Sequence, residues 1–159
     1  MIVIGIDPGK DGGYVELDEL GRVRFQSRLY LDRGIDRLDE LQWDQVHCFM
    51  ERAQVMNREG RPTSARSMFN YGQAFGEILG RLAAFRIPHT LVRPADWSRI
   101  MHAGTTDDHN TKKRSLQAAR QLWPGTSWIP AGCKQPHDGI YEAALIAEYG
   151  RRRLQGDES

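Results

Sequence analysis

The feature that most limits what this chain can become is its opening. Residues 1–7, MIVIGID, are apolar and β-branched, and read as one buried strand. Pro8-Gly9 stops that strand at once, and Gly12-Gly13 opens a second apolar run over residues 14–17. A connection this short returns the chain antiparallel, because a parallel neighbour needs a crossover of a dozen or more residues. Residues 18–21 turn again. Val23 and Phe25 then alternate with Arg22, Arg24 and Gln26, as in a half-exposed third strand. Three short strands joined by tight turns form an antiparallel meander, and an all-parallel order does not fit.

The remaining pattern alternates helices with strands. Ile35, Leu38 and Leu41 predict a short helix beginning near Asp36, and residues 46–50 a fourth strand that ends at Glu51. Residues 52–66 have no period and read as a basic loop. A long helix is predicted over 67–85, with Met68, Gly72, Phe75, Leu79 and Leu82 along its core face. Residues 88–92 make a fifth strand, and Pro94 starts a short helix that carries Trp97. Two further helices are expected over 112–123 and from Asp138 to about residue 152, separated by loops at 103–110 and 124–136. The expected fold class is α/β, with a five-stranded mixed sheet flanked by helices. The length of 159 residues fits one domain over 1–153 with a short flexible tail at 154–159.

Composition excludes more than it assigns. Net charge is +1, so no nucleic-acid partner is announced by the total, and the distribution of charge must make that case. Cys48 and Cys133 form no CxxC pair, which argues against zinc and a disulfide framework and for a reduced, cytoplasmic setting. The opening residues lack the basic region of a signal peptide. No apolar run approaches the ~20 residues of a membrane span.

Four carboxylates occupy unusual places. Asp7 and Glu51 each end a buried strand. Asp138 and Glu142 lie four apart at the start of the last helix, on the stripe that continues through Leu145 and Tyr149, so both face inward. Each has a plain alternative: a common turn at Asp7-Pro8-Gly9, a solvated strand end at Glu51, a helix cap at Asp138, a surface acid at Glu142. Taken together they are more specific. Ionised carboxylates crowded near a core repel one another and lose hydration. A divalent cation resolves both problems, and oxygen-only ligation suits Mg²⁺, with Mn²⁺ as a substitute. Two such ions held ~3.5–4 Å apart can drive phosphodiester hydrolysis.

The same segments carry a resemblance. IGIDPG with Gly12-Gly13, FME ending at Glu51, SMFNYGQAFGEILGRLAAFRIPHTLVRPADW, KKRSLQAARQLWPG and HDGIYEAALIAEYGRRR resemble, in order, the motifs of RuvC-family Holliday-junction resolvases, and are close to phage-encoded versions. The resemblance runs from Met1 to Arg153. It implies a ribonuclease-H-like fold and a homodimer that acts on four-way DNA junctions by paired symmetric nicks. It implies Asp7, Glu51, Asp138 and Glu142 as catalytic metal ligands, and no nucleotide cofactor. It also implies a bacterial host cytoplasm. The family usually has aspartate where this chain has Glu142, one methylene longer. His137, beside Asp138, is either a ligand or proton carrier, or a loop histidine.

For DNA contacts, Arg52, Arg58, Arg61 and Arg66 follow Glu51 directly, which favours phosphate binding over plain surface charge. Lys112, Lys113 and Arg114 open a helix, where backbone N–H groups also favour phosphate. Arg151, Arg152 and Arg153 read as a solvated tail. Met56, Phe69 and Tyr71 are candidates for a wedge that unstacks bases at a junction, with Met56, in the polar loop, the better one and Phe69 expected to pack in the core. Gly72, Gly76 and Gly80 stand four apart in the long helix, where each costs ~1 kcal/mol relative to alanine. Close approach of another backbone would offset that cost, either the sheet or, as expected here, the matching helix of a second subunit.

Other function classes remain in view. A broader branched-DNA endonuclease would also cut flaps and forks. A non-catalytic junction binder has only the glutamate at 142 in its favour. An actin-like or sugar-kinase ATPase begins in the same way but needs two related halves, for which 159 residues leave no room.

Overall fold

The computed structural model describes residues 1–41, 45–52, 64–106 and 109–156. The expected meander is present: β1 (Ile2–Asp7), β2 (Gly13–Leu17) and β3 (Val23–Arg28) pair antiparallel in sequence order. β4 (Val46–Glu51) then lies parallel to β1 on its other side, and β5 (His89–Val92) parallel to β4. The five-stranded mixed sheet has the order β3-β2-β1-β4-β5. Two central strands, β1 and β4, therefore finish side by side, and Asp7 and Glu51 are their last residues.

Side chains alternate across the sheet, so each strand feeds two cores. Ile2, Ile4, Ile6, Cys48 and Met50 face one side and pack with Ile35, Leu38, Ile78 and Leu82. Those partners come from the 3₁₀ turn Gly34–Asp36, from α1 (Arg37–Glu40) and from α2 (Ala65–Ala84). Val3, Val15, Leu17 and Phe49 face the other side. There they meet α3 (Pro94–Met101), α4 (Thr111–Leu122) and α5 (Asp138–Gln155). Among the described residues no helix is long and apolar enough to cross a membrane.

The helix ends follow local chemistry. Ser64 Oγ accepts the Ser67 N–H at 3.1 Å and Asn110 Oδ1 accepts the Lys113 N–H at 3.2 Å, which caps α2 and α4. α5 continues to Gln155, past the expected end near residue 152, and Gly156 closes it in the left-handed region at φ 77°. Residues 157–159 lie outside the described residues.

One face was misjudged by periodicity. Only Ile78 and Leu82 of α2 are buried, while Met68 is 42% exposed and Phe69 70% exposed. The helical spacing is real, but the core touches only the C-terminal half of the helix. Met68 and Gly72 lie outside the core, and a Cβ at Gly72, Gly76 or Gly80 would meet nothing within 4 Å.

α5 is the central helix, buried almost throughout, and glycines set its distance from the sheet. A Cβ at Gly5 would overlap the Ala143 carbonyl oxygen and lie 2.7 Å from the Ala147 nitrogen. A Cβ at Gly139 would fall 2.9 Å from Gly12 Cα, and those two glycines form a parallel bridge. Gly5→Ala is accordingly expected to destabilise the protein by about 3 kcal/mol, roughly 6–12 °C in melting temperature for a chain of this size. Thermal unfolding checks this, and an unchanged melting temperature would mean α5 is free to move off the sheet.

Candidate active site

The four acids come together. Asp7 ends β1, Glu51 ends the adjacent β4, and Asp138 and Glu142 occupy the first five residues of α5. Burial pushes the Asp7 carboxyl up to about 8, and the charges of Glu51, Glu142 and Asp138 add to the rise against one opposing Gly9 N–H. That N–H donates to Asp7 Oδ1 at 3.4 Å. Glu142 is raised to about 7, again first by burial, with Glu51 and Asp138 contributing and a Ser115 hydrogen bond opposing. Glu51 is raised by burial against a hydrogen bond from Trp97. Asp138 differs in sign: burial works to raise it, but Lys112 and the Gly139 N–H together outweigh burial and hold it below the usual carboxylate range.

Three of the acids are held by donors that the sequence did not suggest. Trp97 Nε1–H donates to Glu51 Oε2 at 2.8 Å. Ser115 Oγ donates to Glu142 Oε1 at 3.2 Å. Lys112 Nζ pairs with Asp138 Oδ2. With the side chains so held, no three carboxyl, imidazole or thiol groups among the described residues converge closely enough to ligate one ion. The donor set is nonetheless all-oxygen and strongly self-repelling, which fits a hard divalent cation.

Tyr71 belongs to this site. Its phenol is raised to about 12 by burial and by the charges of Glu51 and Asp7, so it lies beside the acids. Of the two wedge candidates among the described residues, Phe69 is the one displayed to solvent, which corrects the expectation that it packs in the core. Met56 falls outside the described residues, as do Arg58 and Arg61. Arg52 and Arg66 are exposed at either end of that segment.

The expected basic helix start divides its work. Lys112 serves Asp138, and Lys113 is exposed. Arg114 turns inward, with Nε donating to Thr105 Oγ1 at 3.0 Å and Nη2 to the His102 carbonyl at 3.4 Å. Arg151 and Arg152 are not a solvated tail. They clamp buried Glu148 with bonds of 2.7, 2.8 and 2.9 Å. His137 precedes α5 with its Nδ1 buried and unbonded, and its backbone N–H donates to the Trp128 carbonyl at 2.9 Å.

No family model matches the sequence, and no curated protein matches it. Solved structures do. Thermus thermophilus RuvC in complex with Holliday junction substrate matches with a TM-score of 0.62 at 16% identity, over 99% of this chain and 97% of that one. A second Thermus thermophilus RuvC structure gives 0.59 at 18% identity, over 99% and 98%. The chain has the ribonuclease-H-like fold of RuvC. The mixed sheet with helices on both faces, expected from the alternation of strands and helices, is the RuvC arrangement from end to end.

The electrostatics give a test with a definite sign. Asp7 has a folded pKa far above its ordinary 3.8. Its contribution to stability is fully present below that ordinary value and is lost as pH rises through about 8. Asp7→Asn removes the ionised group. In chelator the variant should melt higher than the unsubstituted protein near pH 9, by on the order of 1–3 kcal/mol or roughly 3–10 °C. The gap should shrink towards pH 5. A gap independent of pH would contradict burial of Asp7 among like charges.

Proposed function

We propose that this chain is a divalent-metal-dependent endonuclease that resolves four-way DNA junctions by paired symmetric phosphodiester hydrolysis. The observation that carries the proposal is the gathering of Asp7, Glu51, Asp138 and Glu142 from three separate elements at one edge of a RuvC-fold sheet. On this reading residues 1–153 are one nuclease domain, and the four acids would hold Mg²⁺, two ions when fully loaded, with Mn²⁺ as a substitute. The bound metal supplies an activated water and charge stabilisation for the leaving oxygen. Trp97 keeps water from one side of Glu51, and Lys112 compensates Asp138 until the site is loaded.

DNA binding follows from what surrounds the acids. Arg52, Arg66 and Lys113 are exposed cations flanking the site, suited to phosphates that fix position without reading sequence. Arg58 and Arg61 belong to the same basic segment by sequence. Exposed Phe69, at the start of α2, is suited to stacking at a crossover.

The exposed glycine stripe of α2 supports a homodimer, because open space over Gly72, Gly76 and Gly80 lets a second backbone approach closely. Two subunits would present the two sites that symmetric nicking requires. Gly76→Leu should shift the protein to monomer by light scattering, and an unchanged dimer would remove α2 as the interface.

The deciding experiment is cleavage of a labelled four-way junction in Mg²⁺ and in chelator, beside linear duplex and flap controls. Paired symmetric nicks on the junction alone, and only with metal, are expected. Asp7→Asn should abolish cutting while keeping or strengthening junction binding, since it removes a negative charge near phosphate. Equal cutting of flaps would replace the junction assignment with a general branched-DNA nuclease, and binding without cutting would reject catalysis.

A further inference from the structure

Glu51 and Glu142 reach the site from different elements, one from the end of a strand and one from a helix. Nothing in the backbone fixes where their carboxylates point, since each side chain has three rotatable bonds. What fixes them lies behind the site, in α3 and α4. We infer that Trp97, His102 and Ser115 form a buried positioning cluster that aims Glu51 and Glu142 together. This rests on the reading of those two acids as metal ligands.

The cluster is continuous. Trp97 is buried, and its indole N–H, which can only donate, reaches Glu51 Oε2 at 2.8 Å. Its ring meets the His102 ring edge-to-face, with centroids 5.7 Å apart and planes at 80°. His102 is buried too, and its Nε2 lies 2.9 Å from Ser115 Oγ. Ser115 has no exposed surface, and its hydroxyl donates to Glu142 Oε1 at 3.2 Å. One hydroxyl has one hydrogen. If that hydrogen goes to Glu142, the His102 nitrogen facing Ser115 must itself be the donor. The polarity of the chain is thereby set: His102 Nε2–H to Ser115, and Ser115 O–H to Glu142.

The histidine is anchored in turn. Its carbonyl accepts from Thr105 Oγ1 at 2.7 Å and from Arg114 Nη2 at 3.4 Å, and its N–H donates to the Ser98 carbonyl at 2.9 Å. Arg114 thus braces the turn after α3. A buried polar network of this kind holds its geometry because every break leaves an unsatisfied group. The cluster touches neither substrate nor metal, so its members are positioning residues.

Two variants test it without adding volume: Ser115→Ala removes the hydroxyl, and Trp97→Phe removes the indole N–H while keeping an aromatic ring. Each should weaken Mn²⁺ binding, read by titration calorimetry on the intact protein, by about tenfold or more. Each should lower kcat on the four-way junction while leaving KM unchanged, a split that a general loss of packing does not produce. The double variant should depart from the product of the two single effects, as expected of residues in one network.

Asp7→Asn runs in parallel. If Asp7→Asn loses Mn²⁺ binding while Ser115→Ala and Trp97→Phe bind and cut as the parent does, the positioning inference is wrong and the metal site stands. If Asp7→Asn also binds and cuts normally, the metal-site reading itself fails. Should either buried variant not fold, the ¹⁵N shifts of His102 in the unsubstituted protein decide: the Nε2–H tautomer is expected, and the Nδ1–H tautomer overturns the chain.

Discussion

The contact on which the rest of the structure depends is the approach of α5 to the central strands. Gly5, Gly13, Gly139 and Gly150 remove the side chains that would otherwise keep the helix at ordinary distance. Gly150 receives the ring of Phe49, Gly5 receives the Ala143–Ala147 backbone, and Gly13 lies against Gly139 and Ile140. The small residues Ala143, Ala144 and Ala147 complete the seam with no exposed surface. A helix seated this low brings its first turn level with the ends of β1 and β4. Asp138 and Glu142 then fall within electrostatic reach of Asp7 and Glu51, and this closeness is bought with repulsion that the fold must tolerate.

That repulsion is spread over several devices. The amino end of α5 favours negative charge, which offsets part of the cost at Asp138. Lys112 takes the same acid further down, below its ordinary range. Asp7 has the least help, one long bond from Gly9, and it is the acid raised furthest. Among the described residues Glu51 and Glu142 each have one neutral donor, and both are raised. Burial is the largest cause of the rise at Asp7, Glu142 and Glu51, which their donors only temper, and at Asp138 alone do the partners outweigh it.

Much of this was legible in the sequence, and the limit of legibility has a physical form. Strand alternation, Pro8-Gly9, Gly12-Gly13 and the i, i+4 pair of Asp138 and Glu142 are local, so the sheet and the four acids could be read directly. The core face of α2 could not, because spacing shows that Met68, Gly72, Phe75, Leu79 and Leu82 share a face but not whether anything covers it. The donors were hidden for another reason. Trp97 and Glu51 are 46 residues apart, Ser115 and Glu142 are 27, and no short motif joins them. The orientation of Lys112 and Arg114 was not legible, because a basic helix start looks the same whether its charges point out or in. Only the turn at His102 and the position of Asp138 distinguish the two cases.

The protein donors and the proposed metal act on the same carboxylates, and among the described residues no ready-made ligand shell stands assembled. Among the described residues one lysine pairs with the four acids, so charge there is compensated only partly, and protonation of Asp7 and Glu142 takes up some of the remainder near neutral pH. Without a divalent cation, the favourable state turns each carboxylate towards its own donor and away from its neighbours. Positive charge at the centre would attract each carboxylate and so offset their mutual repulsion, while Trp97 and Ser115 can keep one oxygen of Glu51 and Glu142 and leave the other for a metal. Lys112 has no such sharing available, since ammonium and metal compete directly for Asp138 as like charges. Loading the site would therefore displace Lys112 towards solvent, where the neighbouring exposed Lys113 already stands.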